Sequence, residues 1–153
     1  MYQKSNFDLE RFMTAQNGCY QDVIKELTSG RKLTHWMWYI FPQIQGLGMT
    51  STSKFYAINS LSEANAYLRH PVLSSRIEEC LGLVMNYGSL RVKDIFGYPD
   101  DLKFHSSLTL FSLSKLRTDA FEQALNVFFK GQVDKRTMDI LKLQRPNGDG
   151  FLT

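Results

Sequence analysis

The sequence predicts an all-α fold, a compact irregular array of about seven to eight helices. Two observations carry this. Segment after segment spaces its apolar residues at i, i+3 and i+4, which gathers them on one helical face. No segment shows the sustained period-2 alternation of β-branched residues that marks a half-buried strand. Composition agrees with a globular protein, since 153 residues at 43% hydrophobic and 22% charged have enough apolar surface to build a core. One domain is expected over residues 1–145, with 146–153 as a terminal turn or frayed tail because Pro146-Asn147-Gly148-Asp149-Gly150 breaks any helix.

Each element follows from local signals. Asp8 is expected to cap a first helix to about Gln16, with Leu9, Phe12 and Met13 on one face and Asn17-Gly18 ending it. A second is expected from about Tyr20 to Ser29, striped by Tyr20, Val23, Ile24 and Leu27, with Gly30 at the left-handed C-terminal position. The segment from Arg31 to Gln43 has no clean period, and Pro42 marks its end because a proline pushes its predecessor out of the α region. Gly46-Leu47-Gly48-Met49-Thr50-Ser51 is loop chemistry, followed by a short helix expected through Lys54, Phe55 and Ile58.

Ser60 or Ser62 is expected to cap the next helix, which runs to His70-Pro71. Pro71 then opens a long one, where its missing N–H costs nothing, and Val72, Leu73, Ile77, Cys80, Leu81, Val84 and Met85 keep its stripe up to Gly88. Val92 to Phe96 makes a short amphipathic turn ended by Gly97 and Pro99. Asp100 or Asp101 should cap the helix through Phe111, whose Phe104, Leu108 and Phe111 form one stripe while Leu102 and Leu110 flank Ser106 on another. That helix is expected to be largely enclosed. Two helices close the chain, about 119–130 with Phe121, Ala124, Leu125 and Phe128 inward, and about 134–143 with Met138 and Leu141 inward.

Several function classes are excluded early. Cys19 and Cys80 form no CxxC pair, and no His/Cys/Asp/Glu cluster has ligand spacing, so no disulfide framework, metal site or cofactor is expected. Met1 to Arg11 lacks the apolar stretch of a signal peptide, and Trp36 to Phe41 is too short to span a bilayer. A cytoplasmic protein without a membrane partner is expected. Lys+Arg 18 against Asp+Glu 15 gives +3, a mild and scattered excess that suits an anionic ligand. Nucleic acid is not expected as a partner, because Arg31-Lys32, Lys115-Arg117 and Lys135-Arg136 would have to share one face.

Two segments could carry chemistry. In the first, Trp36, Trp38, Tyr39 and Phe41 interleave with Arg31, Lys32, His35 and Gln43, a mixture of rings and donors that resembles a pocket wall. The competing reading makes the rings core and the cations neutralisers of the preceding helix C-terminus. In the second, Lys103, Ser106 and Ser107 stand at i, i+3 and i+4 on the enclosed helix. Lysine beside hydroxyls binds phosphate or carboxylate, and a desolvated lysine can activate a hydroxyl, although serines that bond back to their own helix are commoner. His70, before Pro71, suits a structural hydrogen bond, and His105 a half-exposed face. His35, among basic and aromatic neighbours, is the best general acid or base. Gly46-Leu47-Gly48 could offer backbone N–H groups to an anion but lacks the strand and spacing of a dinucleotide motif.

Residues 30–43, with Gly46-Leu47-Gly48, Tyr56-Ala57-Ile58, Tyr67-Leu68-Arg69-His70-Pro71-Val72-Leu73 and the run from Asp100 to Phe111, resemble a bacterial family. It is catalogued as domain of unknown function 1810 and sometimes labelled calpastatin-like. The resemblance runs from Asp8 to about Leu143, and His35-Trp36-Met37-Trp38 and Lys103-Phe104-x-Ser106-Ser107 are its specific blocks. It implies a mainly helical single domain with no established activity. The family positions fall on Arg31, Lys32, His35, Trp36, Trp38, Pro42, Gln43, Lys103, Ser106, Ser107 and Thr109. Thr34 stands where the family typically has Ser, and His105 where Arg is typical, which removes a permanent charge.

The leading expectation is a pocket for a small anionic, aromatic-bearing metabolite, a nucleotide or an ADP-ribose-like compound. Arg31, Lys32 and Lys103 would hold the anion, Trp36 or Trp38 would stack on the ring, and Gln43, Ser106, Ser107 and Thr109 would orient it. As an enzyme it would be a metal-free hydrolase or transferase, with His35, Lys103 and Ser106 catalytic. The alternative is a protein-interaction module with a Trp-rich docking surface.

Overall fold

The computed structural model describes residues 6–114, 116 and 119–144, so the expected C-terminal turn lies outside the described residues. Their helices are α1 (Glu10–Asn17), α2 (Tyr20–Thr28), α3 (Met37–Ile40), α4 (Ser51–Tyr56), α5 (Leu61–Arg69), α6 (Pro71–Met85), α7 (Val92–Phe96), α8 (Asp100–Ser112), α9 (Ala120–Phe129) and α10 (Lys135–Gln144). The all-α reading holds, with more helices than expected because α3 forms inside the segment that has no period and the turn expected at Val92 to Phe96 is the helix α7. The described residues contain no strand, and their one isolated parallel bridge joins Ile44 to Ile58.

α8 is the axle of the array and packs against α3, α5, α7, α9 and α10. Its residues from Ser106 to Phe111 are all buried, as is Phe104, which accounts for the lack of a single apolar face. Phe104 packs against the rings of Phe41, Phe96, Phe128 and Phe129, and Phe111 against Tyr67 and Phe121. α6 packs against α2, α3, α5 and α9. One apolar cluster runs through all these layers from Leu9 to Leu141.

The capping signals divide. Ser60 accepts from the Glu63 N–H, and the His70 ring accepts through Nδ1 from Val72 and Leu73 ahead of Pro71, so His70 has the structural role expected of it. Asp8 does not cap α1. Its N-cap is Leu9, without a side-chain bond, and what Asp8 contributes is its carbonyl, bonded by the Arg11 guanidinium. Asp100 and Asp101 do not cap α8 either, since Pro99 holds that position and both acids lie in the first helical turn. The short fourth helix stops at Tyr56 rather than reaching Ile58. The Ile58 N–H donates to Gln43 O at 2.8 Å and its carbonyl accepts from the Gln45 N–H at 2.7 Å, an extended pairing that no helical residue could make.

Arg11 fastens α1 to this pairing. It donates to the carbonyls of Phe55 and Ala57, each at 2.8 Å, and to Glu63 Oε2 at 2.9 Å. Glu63, itself buried, accepts from the Asn59 backbone and side chain through its other oxygen. A buried pair satisfied in this way costs most when one partner is removed, because the other charge is left without a counter-ion. Arg11→Ala should therefore destabilise by about 3 kcal/mol, seen as a fall of about 6–12 °C in the thermal midpoint followed by circular dichroism. A midpoint within 1–2 °C of wild type would show that Arg11 is dispensable.

Candidate functional site

The aperiodic segment owes its shape to Glu26, near the C-terminal end of α2. This buried carboxylate accepts through Oε1 from the Leu33 N–H at 2.6 Å, the Thr34 N–H at 2.9 Å and Trp36 Nε1 at 2.9 Å, and through Oε2 from the Thr34 hydroxyl at 2.5 Å. Burial pushes its carboxyl up, but the four donors outweigh burial and the net shift is downward. The chain is thereby turned back on α2, with Trp36 only 1% exposed. Trp36 lies inside with its N–H satisfied and offers no open face to a ligand.

Lys32 continues the anchoring. Its N–H donates to Ile95 O at 2.7 Å, and its ammonium, over the Trp36 ring at 5.2 Å, pairs with Asp100 at 2.7 Å. Asp100 also holds Lys103 at 3.2 Å, and the Lys103 ammonium stands over the Trp38 ring at 5.0 Å. The two segments singled out in the sequence therefore meet, through Asp100. A second link joins them where Gln43 Nε2 donates to Ser106 Oγ at 2.7 Å.

Trp38, half-buried, lines a cleft with Gln43, Ile44, Gly46, Gly48, Ser53, Lys54, Tyr56 and Ala57. The cleft measures about 300 Å³ counting its open mouth, and its enclosed part is water-sized. Glycine is required at two points of this wall. Gly46 sits at φ 108°. A Cβ on Gly48 would come within 2.3 Å of Ser53 Oγ. Lys54 is exposed, with no ion pair among the described residues.

The remaining candidates lie apart from this grouping. Arg31 and His35 are exposed; His35 takes part only through its carbonyl, which accepts from the Tyr39 hydroxyl, and no hydrogen bond joins it to Lys103 or Ser106. Ser106, buried, donates its proton to Lys103 O at 3.0 Å. Thr109 donates to His105 O at 2.9 Å and accepts from the Asp134 N–H at 2.8 Å, tying α8 to α10. Ser107 is buried with an unpartnered hydroxyl. His105 is half-buried, stacked on Phe129 at 3.9 Å and bonded to Gln132 O. Burial pushes the Cys80 thiol up to about 12 and raises that of Cys19 too, so neither is a thiolate near neutral pH. The described residues hold no metal-binding group of His, Cys, Asp or Glu, and no helix long and apolar enough to cross a membrane.

The sequence reading missed Glu26 and Lys54 and took Asp100 for a cap. Glu26 sits on the apolar side of α2, between Val23 and Leu27, where a carboxylate needs an internal partner; that was the available signal.

The profile of the DUF1810 family, described as a protein of unknown function, matches residues 6–141. The chain belongs to this family. The chain is also similar to a solved structure, a conserved hypothetical protein, Rv1873, from Mycobacterium tuberculosis. The two share 44% identity over 90% of this chain and 98% of that one, with a TM-score of 0.87. Curated proteins give no match.

The downward shift at Glu26 makes stability depend on acid. A carboxyl ionised more readily in the folded state contributes above its ordinary value of about 4.3 and loses that contribution as pH falls through the folded value. Glu26→Gln should be less stable than wild type at pH 7, and its stability should fall less steeply as pH drops below about 4.3. Parallel acid curves for the two proteins in urea denaturation would contradict this assignment.

Proposed function

We propose that the protein binds a small anionic metabolite carrying a planar ring, of which a nucleotide is one example, in the cleft walled by Trp38. One observation carries the reading: a half-exposed indole shares a cleft with an amide and two side-chain-free glycines while a lysine ammonium stands 5.0 Å from its ring. Trp38 is the stacking surface, Lys103 and Lys54 supply positive charge, and Gln43 offers an amide. Two free cysteines suit a cytoplasmic setting. Binding is the function proposed, without turnover, because Ser106 spends its proton on its own helix and His35 is held through its carbonyl, not its ring.

A specific observation favours a second reading, a docking surface. The cleft has a water-sized interior, and Met49 and Phe55, 82% and 57% exposed, adjoin its lining residues Gly48 and Lys54 in the chain.

Thermal shift separates the two. A small ligand at about 100 times its dissociation constant stabilises by about 2.7 kcal/mol, which raises the midpoint by about 5–10 °C at this size. Adenosine monophosphate, benzoate and phenyl phosphate are suitable probes, with Lys103→Ala and Lys54→Ala beside wild type. A rise with one or more probes that both variants reduce supports the ligand cleft. No rise with any of them, the variants melting as wild type does, would overturn it in favour of docking.

A further inference from the structure

Asp100 stands in the first turn of α8 with one oxygen on each of two lysines, Oδ2 at 2.7 Å from Lys32 Nζ and Oδ1 at 3.2 Å from Lys103 Nζ. Each ammonium also stands over an indole, Lys32 over Trp36 and Lys103 over Trp38. The string Trp36, Lys32, Asp100, Lys103, Trp38 therefore runs from the core to the cleft wall, and two cations with one carboxylate leave it a net charge of one.

Its two ends are not equivalent. The Lys32 side chain is 6% exposed, makes the shorter ion pair and faces a buried ring. The Lys103 side chain is 22% exposed, makes the longer pair and faces the ring that lines the cleft. Stranding a buried ammonium without its counter-ion is costly, so Asp100 stays with Lys32. Lys103 is not itself in the cleft lining, and its charge acts on an anion there from its place 5.0 Å from the Trp38 ring, with that carboxylate still beside it. Lys54 adds a second charge, but one that is exposed and screened by solvent and salt.

We infer that Asp100 is a specificity-determining residue of the Trp38 cleft: by holding the Lys32–Lys103 pair to one net charge, it favours planar ligands bearing a single negative charge, a carboxylate or a phosphodiester, over doubly charged phosphate monoesters. The ligand preference rests on the ligand reading of the cleft. The charge at the cleft wall does not.

Collisional quenching of tryptophan fluorescence tests the charge without any ligand. Trp36 is closed to solvent, so quenching in the wild-type protein reports Trp38. Asp100→Asn should raise quenching by iodide about two- to fivefold at low ionic strength, the effect of one added charge a few ångströms away, and leave neutral acrylamide unchanged. Lys103→Gln should lower iodide quenching by a similar factor while leaving Lys32 its partner, so it carries the test if Asp100→Asn does not fold.

Titration with benzoate and with phenyl phosphate near pH 8, where the phosphate is doubly ionised, tests the preference. Wild type should favour benzoate, and Asp100→Asn should shift the ratio towards phenyl phosphate by the same factor. If both bind and neither the ratio nor the iodide effect responds to Asp100→Asn, the inference on Asp100 is overturned and the ligand cleft stands. If iodide responds and neither compound binds, the ligand reading is overturned and the preference with it.

Discussion

One buried carboxylate decides how the least regular part of this chain is laid down. Glu26 accepts four hydrogen bonds within a ten-residue span, all of them from residues that lie between α2 and α3 and belong to no helix. An ionised side chain taken from water is tolerated only when its lone pairs are filled in this way. The Glu26 bonds close the turn after α2, commit Trp36 to the core and leave the next turn of chain, with Trp38, facing outward. Were the turn looser, the two tryptophans would have no fixed order between core and cleft.

The same logic of satisfied buried charge recurs at each joint. Arg11 and Glu63 hold α1 against the extended pairing of Gln43 and Gln45 with Ile58, and the neighbouring Gln43, Ile44 and Ala57 line the cleft. Asp100 joins Lys32 to Lys103 and so fixes the basic-aromatic segment to α8. α8 itself is held by carbon on most of its circumference, and its polar groups reach out at separate points: Asp100 to Lys32, Lys103 and Ser106 towards Trp38 and Gln43, His105 to Gln132 and Thr109 to Asp134. Packing therefore supplies the stiffness, and the ion pairs supply the registry between elements that share no hydrogen-bonded backbone.

The fold class was legible because helical periodicity is a local property, and the stripes on α2, α6 and α9 remain visible after every tertiary contact is ignored. The enclosure of α8 was legible for the same reason. What could not be read were events decided by distant partners. α3 has four residues and no stripe, and forms because Trp36 is anchored elsewhere. Ile58 leaves its helix to pair with Gln43, fifteen positions earlier. Asp8 and Asp100 carry good capping chemistry, yet Arg11 engages the backbone of one and two lysines engage the carboxylate of the other. At the site, the residue types were visible in Lys32, Trp38, Gln43, Lys103 and Ser106, and the structure joins them. The division of labour between Trp36 and Trp38 was not, because it is set by Glu26, whose four donors lie in the aperiodic turn seven to ten positions further on.

Glu26 puts Trp36 inside and leaves Trp38 at the cleft, where it is the ring proposed to meet a ligand. The protein has two tryptophans, so its indole N–H groups give two signals in a proton–nitrogen correlation spectrum. On titration with benzoate, the account predicts that the Trp38 signal, assigned by Trp38→Phe, moves saturably while the Trp36 signal stays in place and exchanges slowly with solvent. Movement of the Trp36 signal alone, or saturation that leaves both signals unmoved, would contradict it.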